Sequence, residues 1–420
     1  MKNSFLANGK SILFYLVKIL SVTAVYTLLW YLFEFKGHLK DPISFLICLP
    51  LNHFIGSGGW KYVGWHLRIK KAIYWVIYWF IALSYIPGKI IDWFFPENII
   101  ADMLLYLDSY WFTSMKYFLV ILVLFIPVGF IIKKAGKPEN KVTNFLQNTP
   151  TIGLVLLIAI ISYFSYGTWN ARNTVITRYD ISIDKKVGNL RSLNVVMLSD
   201  IHLGRVINNK RLISLVEEIN RLKPDIVLLA GDCIEDEYEP YIRQNMARTL
   251  QKINSKLGVY AVLGNHDIAM GNTEINIKNL NNARVIVLKD QYIKVADAFY
   301  IVGRSDRGEV GENSGRPKIS DIVKGIDKSL PIILMDHQPV DFDLAEENGV
   351  DVQLSGHTHN GQDIFGRFFT SLSYELAYGI SKHNSFNAIV SSGFGTWGSP
   401  VRVGTSSEIV NIHINFKCEG

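Results

Sequence analysis

The chain is organised around residues 354–362, which read Leu-Ser-Gly-His-Thr-His-Asn-Gly-Gln. Two histidines, His357 and His359, stand two positions apart directly after the apolar run 350–354. Because side chains alternate along an extended segment, both imidazole rings would point the same way. The flanking glycines let the backbone turn sharply and come close to a bound group. The pattern predicts a strand that ends in a tight loop and presents two imidazoles to one metal centre.

Composition divides the chain into two parts. The 420 residues are 49% hydrophobic, and the apolar excess lies before about residue 170. The remaining part, roughly 250 residues of ordinary soluble composition, is large enough to enclose a full hydrophobic core. We therefore predict a transmembrane region at residues 1–170, a linker at 171–192 and a globular domain at 193–420.

Five apolar segments are candidates for membrane spans. They are Ser11–Phe33, Ile43–Phe54, Ala72–Phe95, Tyr117–Ile132 and Thr151–Trp169. Tryptophan and tyrosine residues at their edges are typical of the membrane–water interface. The second segment is short and is interrupted by proline and asparagine, so four or five spans are expected. No segment carries a conspicuous charged group at mid-depth, which favours a membrane anchor over a transporter.

The basic residues indicate how such a region would be oriented. The formal net charge is +6, and much of the basic excess borders the apolar segments, which favours a membrane flank over a nucleic-acid site. The two basic loops contain Arg68, Lys70 and Lys71, and then Lys133, Lys134, Lys137 and Lys141. An acidic loop with Glu97, Asp102 and Asp108 lies between them. Since basic loops stay in the cytoplasm, five spans place the globular domain on the extracytoplasmic side of a plasma or inner membrane, whereas four would leave it in the cytoplasm.

The globular part alternates strand and helix patterns, and polar motifs follow the strands. Strand patterns at 193–198, 225–230 and 259–263 are separated by helical patterns at 209–222 and about 238–257. This order indicates parallel strands with right-handed crossovers, and ligands of such sheets collect at the carboxyl ends of the strands. Further strands are predicted at 285–302, as a meander, and at 331–335, 350–354 and 408–416, with a helix near 340–347.

Taken in order, the polar motifs resemble the five signature motifs of the calcineurin-like metallophosphoesterases. They are Asp200-x-His202, Gly231-Asp232, Gly264-Asn265-His266-Asp267, His337 and Gly356-His357-x-His359. The resemblance covers roughly residues 193–416, and the segment Gly393–Arg402 also resembles the membrane-associated YkuE/YaeI-like branch. The resemblance implies an α/β metallophosphoesterase domain, a four-layer αββα sandwich, placed here after a multi-span α-helical membrane region.

The resemblance also implies a site for two divalent metal ions. One ion would be held by Asp200, His202, Asp232 and His359, and the other by Asp232, Asn265, His337 and His357, with Asp232 as the bridge. Oxygen and imidazole ligands suit Mn, Fe, Zn or Co, of which we favour Mn. Two such cations can bind both the attacking and the leaving oxygen of an in-line displacement.

Other residues near the motifs are assigned roles by the same resemblance. His266 would stabilise developing charge or protonate the leaving oxygen, and Asp267 would orient it. Arg205 and Arg402 would bind phosphate oxygens, with a plain surface role as the alternative. The branch often has an aspartate three residues after the bridging aspartate, where this chain has Glu235.

These features predict a membrane-anchored, metal-dependent phosphoric ester hydrolase. Its partners would be a lipid bilayer and a substrate with a phosphoester or pyrophosphate group at the membrane surface, including lipid-linked groups; no nucleic acid is expected. The alternative is a membrane scaffold or receptor whose phosphoesterase-like domain binds metal without cutting. The sequence leaves open the substrate, the native metals, the choice between monoesters and diesters, and the oligomeric state.

Overall fold

The computed structural model of the chain describes residues 42–60, 68–96, 98–134, 149–188, 190–310 and 316–417. The contacts divide the chain into two compact units, Met1–Tyr163 and Phe164–Gly420.

The described part of the first unit is α-helical. Its helices are α1 (Pro42–Gly59), α2 (Lys71–Ala82), α3 (Tyr85–Phe94), α4 (Ile99–Lys134) and the start of α5 (Thr149–Arg172). The side-chain oxygen of the buried Asn52 on α1 accepts a hydrogen bond from Trp111 Nε1 on α4 at 2.9 Å. The backbone carbonyl of Asn52 accepts a second hydrogen bond, from the Tyr78 hydroxyl on α2. Polar groups from three helices therefore meet at one asparagine.

The predicted membrane spans correspond only in part to these helices. Residues 11–33 lie outside the described ranges, and the segment 43–54 lies within α1, which contains Pro50. The segment 72–95 breaks at residues 83–84 and not at Pro87, because Pro87 stands in the first turn of α3, where a missing N–H is tolerated. Within the described ranges no single helix is both long enough and apolar enough to span a membrane. Taken together, α2 and α3 are long and apolar enough, and their axes are bent by 56° at the break between them.

The acidic segment predicted as a loop is helical where it is described. Asp102 and Asp108 both lie in α4, and Glu97 lies outside the described residues. The Asn98 side chain accepts a hydrogen bond from Ile100 N at 2.8 Å, and Asp102 occupies the first turn, where a carboxylate is favoured by the helix dipole. The leucine-rich residues that follow are strong helix formers, so the helix continues through both aspartates.

The described residues of the second unit form two mixed six-stranded sheets. Its strands are β1 (Thr174–Ile183), β2 (Ser192–Leu198), β3 (Ile226–Ala230), β4 (Val259–Val262), β5 (Val285–Val287), β6 (Gln291–Val295), β7 (Phe299–Gly303), β8 (Ile332–Met335), β9 (Val352–Ser355), β10 (Gly379–His383), β11 (Phe386–Val390) and β12 (Ser407–Phe416). The strand order is β1-β12-β2-β3-β4-β5 in one sheet and β10-β11-β9-β8-β7-β6 in the other. Strands β2 to β5 are parallel to one another, as are β7, β8, β9 and β11.

Helices cover the outer face of each sheet. The helices of this unit, after α5, are α6 (Asn209–Arg221), α7 (Glu239–Arg243), α8 (Met246–Leu250), α9 (Asn265–Ile268), α10 (Thr273–Asn282), α11 (Arg307–Val310), α12 (Ile319–Ile322), α13 (Phe342–Glu347) and α14 (Ile364–Ser373). Buried side chains such as Leu228 of β3 and Ile333 of β8 belong to a central core between the sheets. Helix α6 packs on the first sheet, and α12 and α13 pack on the second. The predicted four-layer αββα sandwich is confirmed for this unit.

Two predicted elements differ from the structure. The strands at 285–302 are not one meander, because β5 closes the first sheet and β6 and β7 belong to the second. The predicted helix at 238–257 is the pair α7 and α8, interrupted at Asn245, whose φ is 53°. Asparagine is among the few residues that adopt this left-handed conformation readily, so the helix stops there.

Residues 171–192, predicted as a linker, contribute a strand and a cross-link to the sandwich. Strand β1 pairs in parallel with β12 along its whole length. Beyond β1, Lys185 Nζ lies 2.7 Å from Asp351 Oδ2 and also donates to the carbonyls of Leu330 and Gly349. Asp351 is buried beside β9 and accepts a further hydrogen bond from Ile332 N at 2.8 Å. The segment therefore fastens the first sheet to the second.

We expect Lys185→Met to lower the free energy of unfolding by about 2 kcal/mol, less than for a fully buried pair because Lys185 is partly exposed. The cause is the Asp351 carboxylate, which would remain buried without its cation. The exposed neighbour Lys186 is the matched control, and Lys186→Met should change stability by less than about 0.5 kcal/mol. Thermal unfolding of the detergent-purified chain measures both variants, and equal stabilities would contradict the cross-link.

Candidate metal centre

Each predicted metal ligand follows the carboxyl end of a strand. Asp200 and His202 follow β2, Asp232 follows β3, Asn265 follows β4, His337 follows β8, and His357 and His359 follow β9. Strands β2, β3 and β4 are neighbours in the first sheet, and β8 and β9 are neighbours in the second. Because parallel strands end at the same edge, the loops of each sheet converge, and the two sets meet.

The first convergent group consists of Asp200, His202 and His359. The Nε2 atoms of the two histidines are 3.1 Å apart, and His359 Nε2 lies 3.4 Å from Asp200 Oδ1. All three side chains are buried, and their ligand atoms lie within 4.8 Å of one another. One cation could be bound by all three.

The second convergent group consists of Asp232, His337 and His357, again with ligand atoms within 4.8 Å of one another. His337 Nε2 lies 3.1 Å from Asp232 Oδ2. His357 Nδ1 lies 2.7 Å from the side-chain oxygen of Asn265, and this oxygen is a fourth possible ligand atom for a metal ion in this group.

Asp232 stands between the two groups. Its Oδ2 atom lies 3.1 Å from His337 Nε2 and 4.0 Å from His202 Nε2. Its Oδ1 atom accepts a hydrogen bond from His266 N at 2.8 Å, which fixes the carboxylate plane. A carboxylate in this position can serve two cations at once. The structure thus brings all seven predicted ligands into one cluster.

The backbone of the ligand loops is left-handed at most of the ligands. The positive φ angles are 50° at Asp200, 53° at His202, 51° at Asp232, 69° at His357 and 49° at His359. Such angles are uncommon for residues other than glycine and cluster at functional sites, where the surrounding structure imposes them. Neighbouring glycines make room: a Cβ at Gly264 would overlap Asp232 Oδ1, and one at Gly356 would overlap Asp200 Oδ2.

The donor set fits two divalent transition-metal ions. Carboxylate oxygens, an amide oxygen and imidazole nitrogens are the ligands that such ions take without thiolates. His337 Nδ1 donates to the Ala230 carbonyl at 2.8 Å, and its buried Nε2 atom faces the Asp232 carboxylate at 3.1 Å. A histidine whose one nitrogen is held by a carbonyl while the other faces a cluster of oxygen atoms is typical of a metal ligand.

Electrostatics favour the protonation states that metal ligands need at Asp232, His357 and His359. Although burial opposes ionisation, the adjacent His337 holds the pKa of Asp232 well below its usual range. Burial, with His202 and Arg402 nearby, holds the pKa of His359 well below its usual range, and burial together with His337 lowers the pKa of His357. These three groups can bind a cation without first losing a proton. Although burial favours their neutral rings, Glu235 raises the pKa of His202 and Asp232 raises the pKa of His337 well above its usual range, so these two imidazoles release protons when a metal binds.

His266 lies beside the two ligand groups and is held by carboxylates. Its Nδ1 atom is 2.8 Å from Asp236 Oδ1 and 3.5 Å from Glu235 Oε1. Burial favours the neutral ring, but the Asp236 hydrogen bond and the charges of Asp232 and Glu235 raise the pKa of His266 to about 9. Glu235 Oε2 also lies 3.3 Å from Nδ1 of the ligand His202, the position from which a carboxylate orients a metal-binding imidazole.

Asp267 does not orient His266, which corrects that prediction. The Asp267 carboxylate is buried and accepts backbone hydrogen bonds from Gly264 at 2.9 Å, Cys233 at 3.1 Å and Ile234 at 2.8 Å. It therefore joins the loop after β4 to the loop after β3. Asp236 occupies the orienting position that the sequence interpretation gave to Asp267. The available signal was the run of acidic residues 235–237 that follows Asp232 in the same loop.

Arg402 is an internal support and not a phosphate ligand, which corrects a second prediction. Its side chain is 0% exposed. Nη2 donates to the carbonyls of Ser392 and Gly395, both at 2.7 Å, and Nη1 donates to the Ser406 carbonyl at 3.0 Å. With its nitrogens directed to backbone carbonyls inside the protein, the guanidinium has no donor left for a substrate. Arg205 is half-buried in the loop after His202, so its phosphate-binding role stays a prediction.

We expect Arg402→Lys to lower the free energy of unfolding by about 3 kcal/mol, because one ammonium group cannot satisfy the carbonyls that the guanidinium serves. The measurement is thermal unfolding of the purified chain. The matched control is Arg191→Lys on the exposed surface, which should leave the stability unchanged. A folded Arg402→Lys protein of normal stability whose only defect is a raised KM would restore the phosphate-binding role.

The loop that carries His337 is held by charged groups that the sequence did not single out. Asp336 is fully buried and accepts hydrogen bonds from Arg304 Nη1 at 3.2 Å and Arg316 Nη1 at 2.8 Å. On the other side of His337, Gln338 Nε2 donates to both carboxylate oxygens of Asp306 at 3.0 Å. These partners are distant in sequence, so no local motif reveals them.

Comparisons with known proteins identify the family of the chain. The family model for calcineurin-like phosphoesterases matches residues 193–361. An uncharacterized metallophosphoesterase of Campylobacter jejuni is 30% identical over 294 residues, which cover 69% of this chain and 76% of that protein. One from Helicobacter pylori is 28% identical over 376 residues, which cover 89% and 97%. The transmembrane protein with metallophosphoesterase domain of Danio rerio is 28% identical over 306 residues, which cover 68% and 67%. The chain belongs to the calcineurin-like metallophosphoesterase family.

Proposed function

We propose that this protein is a phosphoric ester hydrolase that uses two divalent metal ions, with Mn favoured among Mn, Fe, Zn and Co. The observation that carries the proposal is the Asp232 carboxylate between two buried groups of ligand atoms. When bound, the two cations would supply Lewis acidity to the phosphoryl group and to the attacking water.

The residues of the chain take separate roles in this proposal. Asp200, His202, Asn265, His337, His357 and His359 would hold the cations, and the Asp232 carboxylate, which lies between the two groups, would serve both. His266 donates a proton to the leaving oxygen, because its Nδ1 atom is engaged by Asp236 and its Nε2 atom remains for the substrate. Asp236 acts as a positioning residue, since it touches His266 and not the reacting atoms. Glu235 positions His202 in the same way.

We further propose that residues 1–170 tether the domain at 193–420 to a plasma or inner membrane. Five spans, which we favour over four, would place the domain on the extracytoplasmic side. Three observations support the tether: the apolar segments, the bent pair of α2 and α3, and the Danio rerio relative, which is named as a transmembrane protein. The segment Gly393–Arg402 supports a place in the YkuE/YaeI-like branch. Substrates would then be phosphoester or pyrophosphate groups close to the bilayer.

Metal removal tests the proposed activity. We expect the detergent-purified chain to lose hydrolysis of bis(p-nitrophenyl) phosphate after chelator treatment and to regain it with Mn²⁺. Ca²⁺ is the matched control and should restore little, because it prefers six to eight oxygen ligands over imidazoles. Metal-loaded protein that hydrolyses no member of a panel of phosphomonoesters, phosphodiesters and pyrophosphates would contradict the proposal.

A further inference from the structure

Helix α14 (Ile364–Ser373), which follows the His357-x-His359 loop, exposes an apolar face to water. Ile364, Phe368 and Leu372 recur every fourth residue and so share one stripe of the helix, and they are 57%, 60% and 71% exposed. Phe369, next to this stripe, is 63% exposed. None of the ten residues of the helix is buried. Contiguous exposed apolar surface of this kind marks an interaction site.

The two ends of α14 lead to the candidate metal centre. At the start, the Gln362 side chain accepts a hydrogen bond from Trp397 N at 2.8 Å and donates to Trp397 O at 2.9 Å. The Trp397 ring is exposed and lies 6.2 Å from the His266 ring, measured between centroids. Just after the end of α14, the Tyr374 ring lies 6.0 Å from the His357 ring. The apolar face therefore stands at the rim of the site.

The last turns of α5 are connected to α14 through one short segment, 401–405, in which every residue but Gly404 is buried. On one side, Arg402 N donates to the Gly167 carbonyl of α5 at 2.9 Å. On the other side, Arg367 Nη1 of α14 donates to the Gly404 carbonyl at 3.0 Å. The final turns of α5 and helix α14 are thus anchored to the same short segment.

The exposed residues of these two elements have the chemistry of a membrane interface. Tyr166 and Trp169 on α5 are 51% and 61% exposed, and tryptophan and tyrosine prefer the boundary between acyl chains and water. Arg172, the last residue of α5, and Arg367 of α14 are exposed basic groups, and α14 contains no acidic residue. Basic groups beside an apolar face complement anionic lipid headgroups.

We propose that α14, Trp397 and the last turns of α5 form a membrane-docking face that seats the metal centre on the surface of a lipid bilayer. A bilayer fits better than a second copy of the chain, because the face combines an apolar stripe, interfacial aromatic residues and a basic rim. The sequence that precedes this unit is also rich in apolar segments. Amphipathic helices of this composition lie in the interface with the apolar side among the acyl chains.

The docking face specifies a substrate class, and this step rests on the proposed function. A bilayer seated against α14 would bring phosphates at headgroup level next to His266 and His357. The substrate is therefore the phosphoester of a membrane lipid, which would reach the site without leaving the bilayer.

A fluorescent label on α14 tests the docking face without use of activity. The full chain carries Cys48→Ser and Cys418→Ser, keeps the buried Cys233, and receives an environment-sensitive label at Phe369→Cys. It is reconstituted into vesicles of phosphatidylcholine and phosphatidylglycerol in equal amounts. We expect the emission of the label to be blue-shifted. When a nitroxide-bearing phosphatidylcholine is included in the vesicles, we expect the fluorescence intensity to fall by about half or more.

The matched control is Ser329→Cys, in the exposed turn before β8, at the opposite end of that strand from His337. Its label should remain in water and should not be quenched by the lipid nitroxide. Equal quenching at the two positions would overturn the docking face. A blue shift at position 369 without quenching by lipid would mean that protein, such as a second copy, covers the helix, and it would also overturn the proposal.

A rate ratio separates failure of the docking face from failure of the proposed function. We expect Phe368→Ser combined with Leu372→Ser to lower the rate on a long-chain phospholipid in vesicles, relative to bis(p-nitrophenyl) phosphate, by about tenfold or more. An unchanged ratio would overturn the docking face and leave the hydrolase intact. A label inserted in the bilayer on a chain that hydrolyses neither probe would instead overturn the hydrolase and the lipid substrate.

Discussion

Asp232→Asn is expected to lower kcat for an aryl phosphodiester by at least about 10³-fold, since loss of bridging charge costs several kcal/mol of transition-state stabilisation. The substitution keeps the shape of the side chain and the hydrogen bond that Oδ1 accepts from His266 N. It removes the negative charge that lies within 4.0 Å of both His202 and His337. The metal content, measured by inductively coupled plasma mass spectrometry, should fall in parallel with the rate.

The matched control for this prediction is Asp180→Asn, on the exposed surface of β1. This variant should keep its activity within about twofold of the unmodified chain, because surface substitutions have small effects. Thermal unfolding of both variants shows whether a loss of activity comes from loss of the fold. Full turnover and full metal content in Asp232→Asn would contradict the bridging role.

His266→Gln is expected to give the second largest effect, a loss of about 10²–10⁴-fold in kcat for an alkyl phosphodiester. An alkoxide needs a proton as it leaves, and His266, held by Asp236 at 2.8 Å, is placed to supply it. The loss should be much smaller for a p-nitrophenyl ester, because p-nitrophenolate leaves without protonation. The metal content should not change, because all seven predicted ligands remain; His266 lies in a separate candidate group, with His202 and Glu235.

Two further variants make the His266 prediction specific. His413→Gln, on the exposed side of β12, is the matched control and should leave both substrates unaffected. Asp236→Asn should reproduce the leaving-group dependence in weaker form, because it loosens His266 without removing the ring. Equal losses on alkyl and aryl substrates, accompanied by loss of metal, would instead make His266 a metal ligand.

Local patterns in the sequence were sufficient to predict the strands that carry the polar motifs, because hydrophobic periodicity and the order of the elements determine them. Strands β2, β3 and β4 alternate with helices, and a polar motif ends each of them, so convergence at one sheet edge follows from topology. The same reasoning applies to His337 and to His357 and His359, which follow neighbouring parallel strands of the second sheet. Topology therefore predicts that polar motifs collect at one edge of a sheet, and the resemblance to the metallophosphoesterases adds which of their residues form one ligand cluster.

Residue roles that depend on the direction of a side chain could not be predicted in this way. Asp236 and Asp267 are both acidic neighbours of site residues, and only the loop geometry decides that Asp236 meets His266 while Asp267 accepts backbone hydrogen bonds. Arg402 lies in a glycine-rich loop typical of a binding site, but the fold turns its guanidinium inward. Burial depends on contacts with distant residues, and periodicity carries no information about them.

Strand β1 and helix α14 were missed for different reasons. The residues of β1 are polar enough for a linker, because the strand stands at the edge of its sheet and buries few side chains. Helix α14 was not predicted because it is short. Its apolar residues are of the kind that is usually buried, but they face water, and no element of the described structure covers them. The same mismatch is what points to a membrane as its partner.

The most direct test of the dinuclear centre is anomalous X-ray scattering from crystals of the Mn²⁺-loaded chain. We expect two peaks about 3.5–4 Å apart, one on each side of Asp232. One peak should contact His202 and His359, and the other should contact His337 and Asn265. A single peak, or a peak held by Glu235 and His266 with none beside His337, would contradict the account.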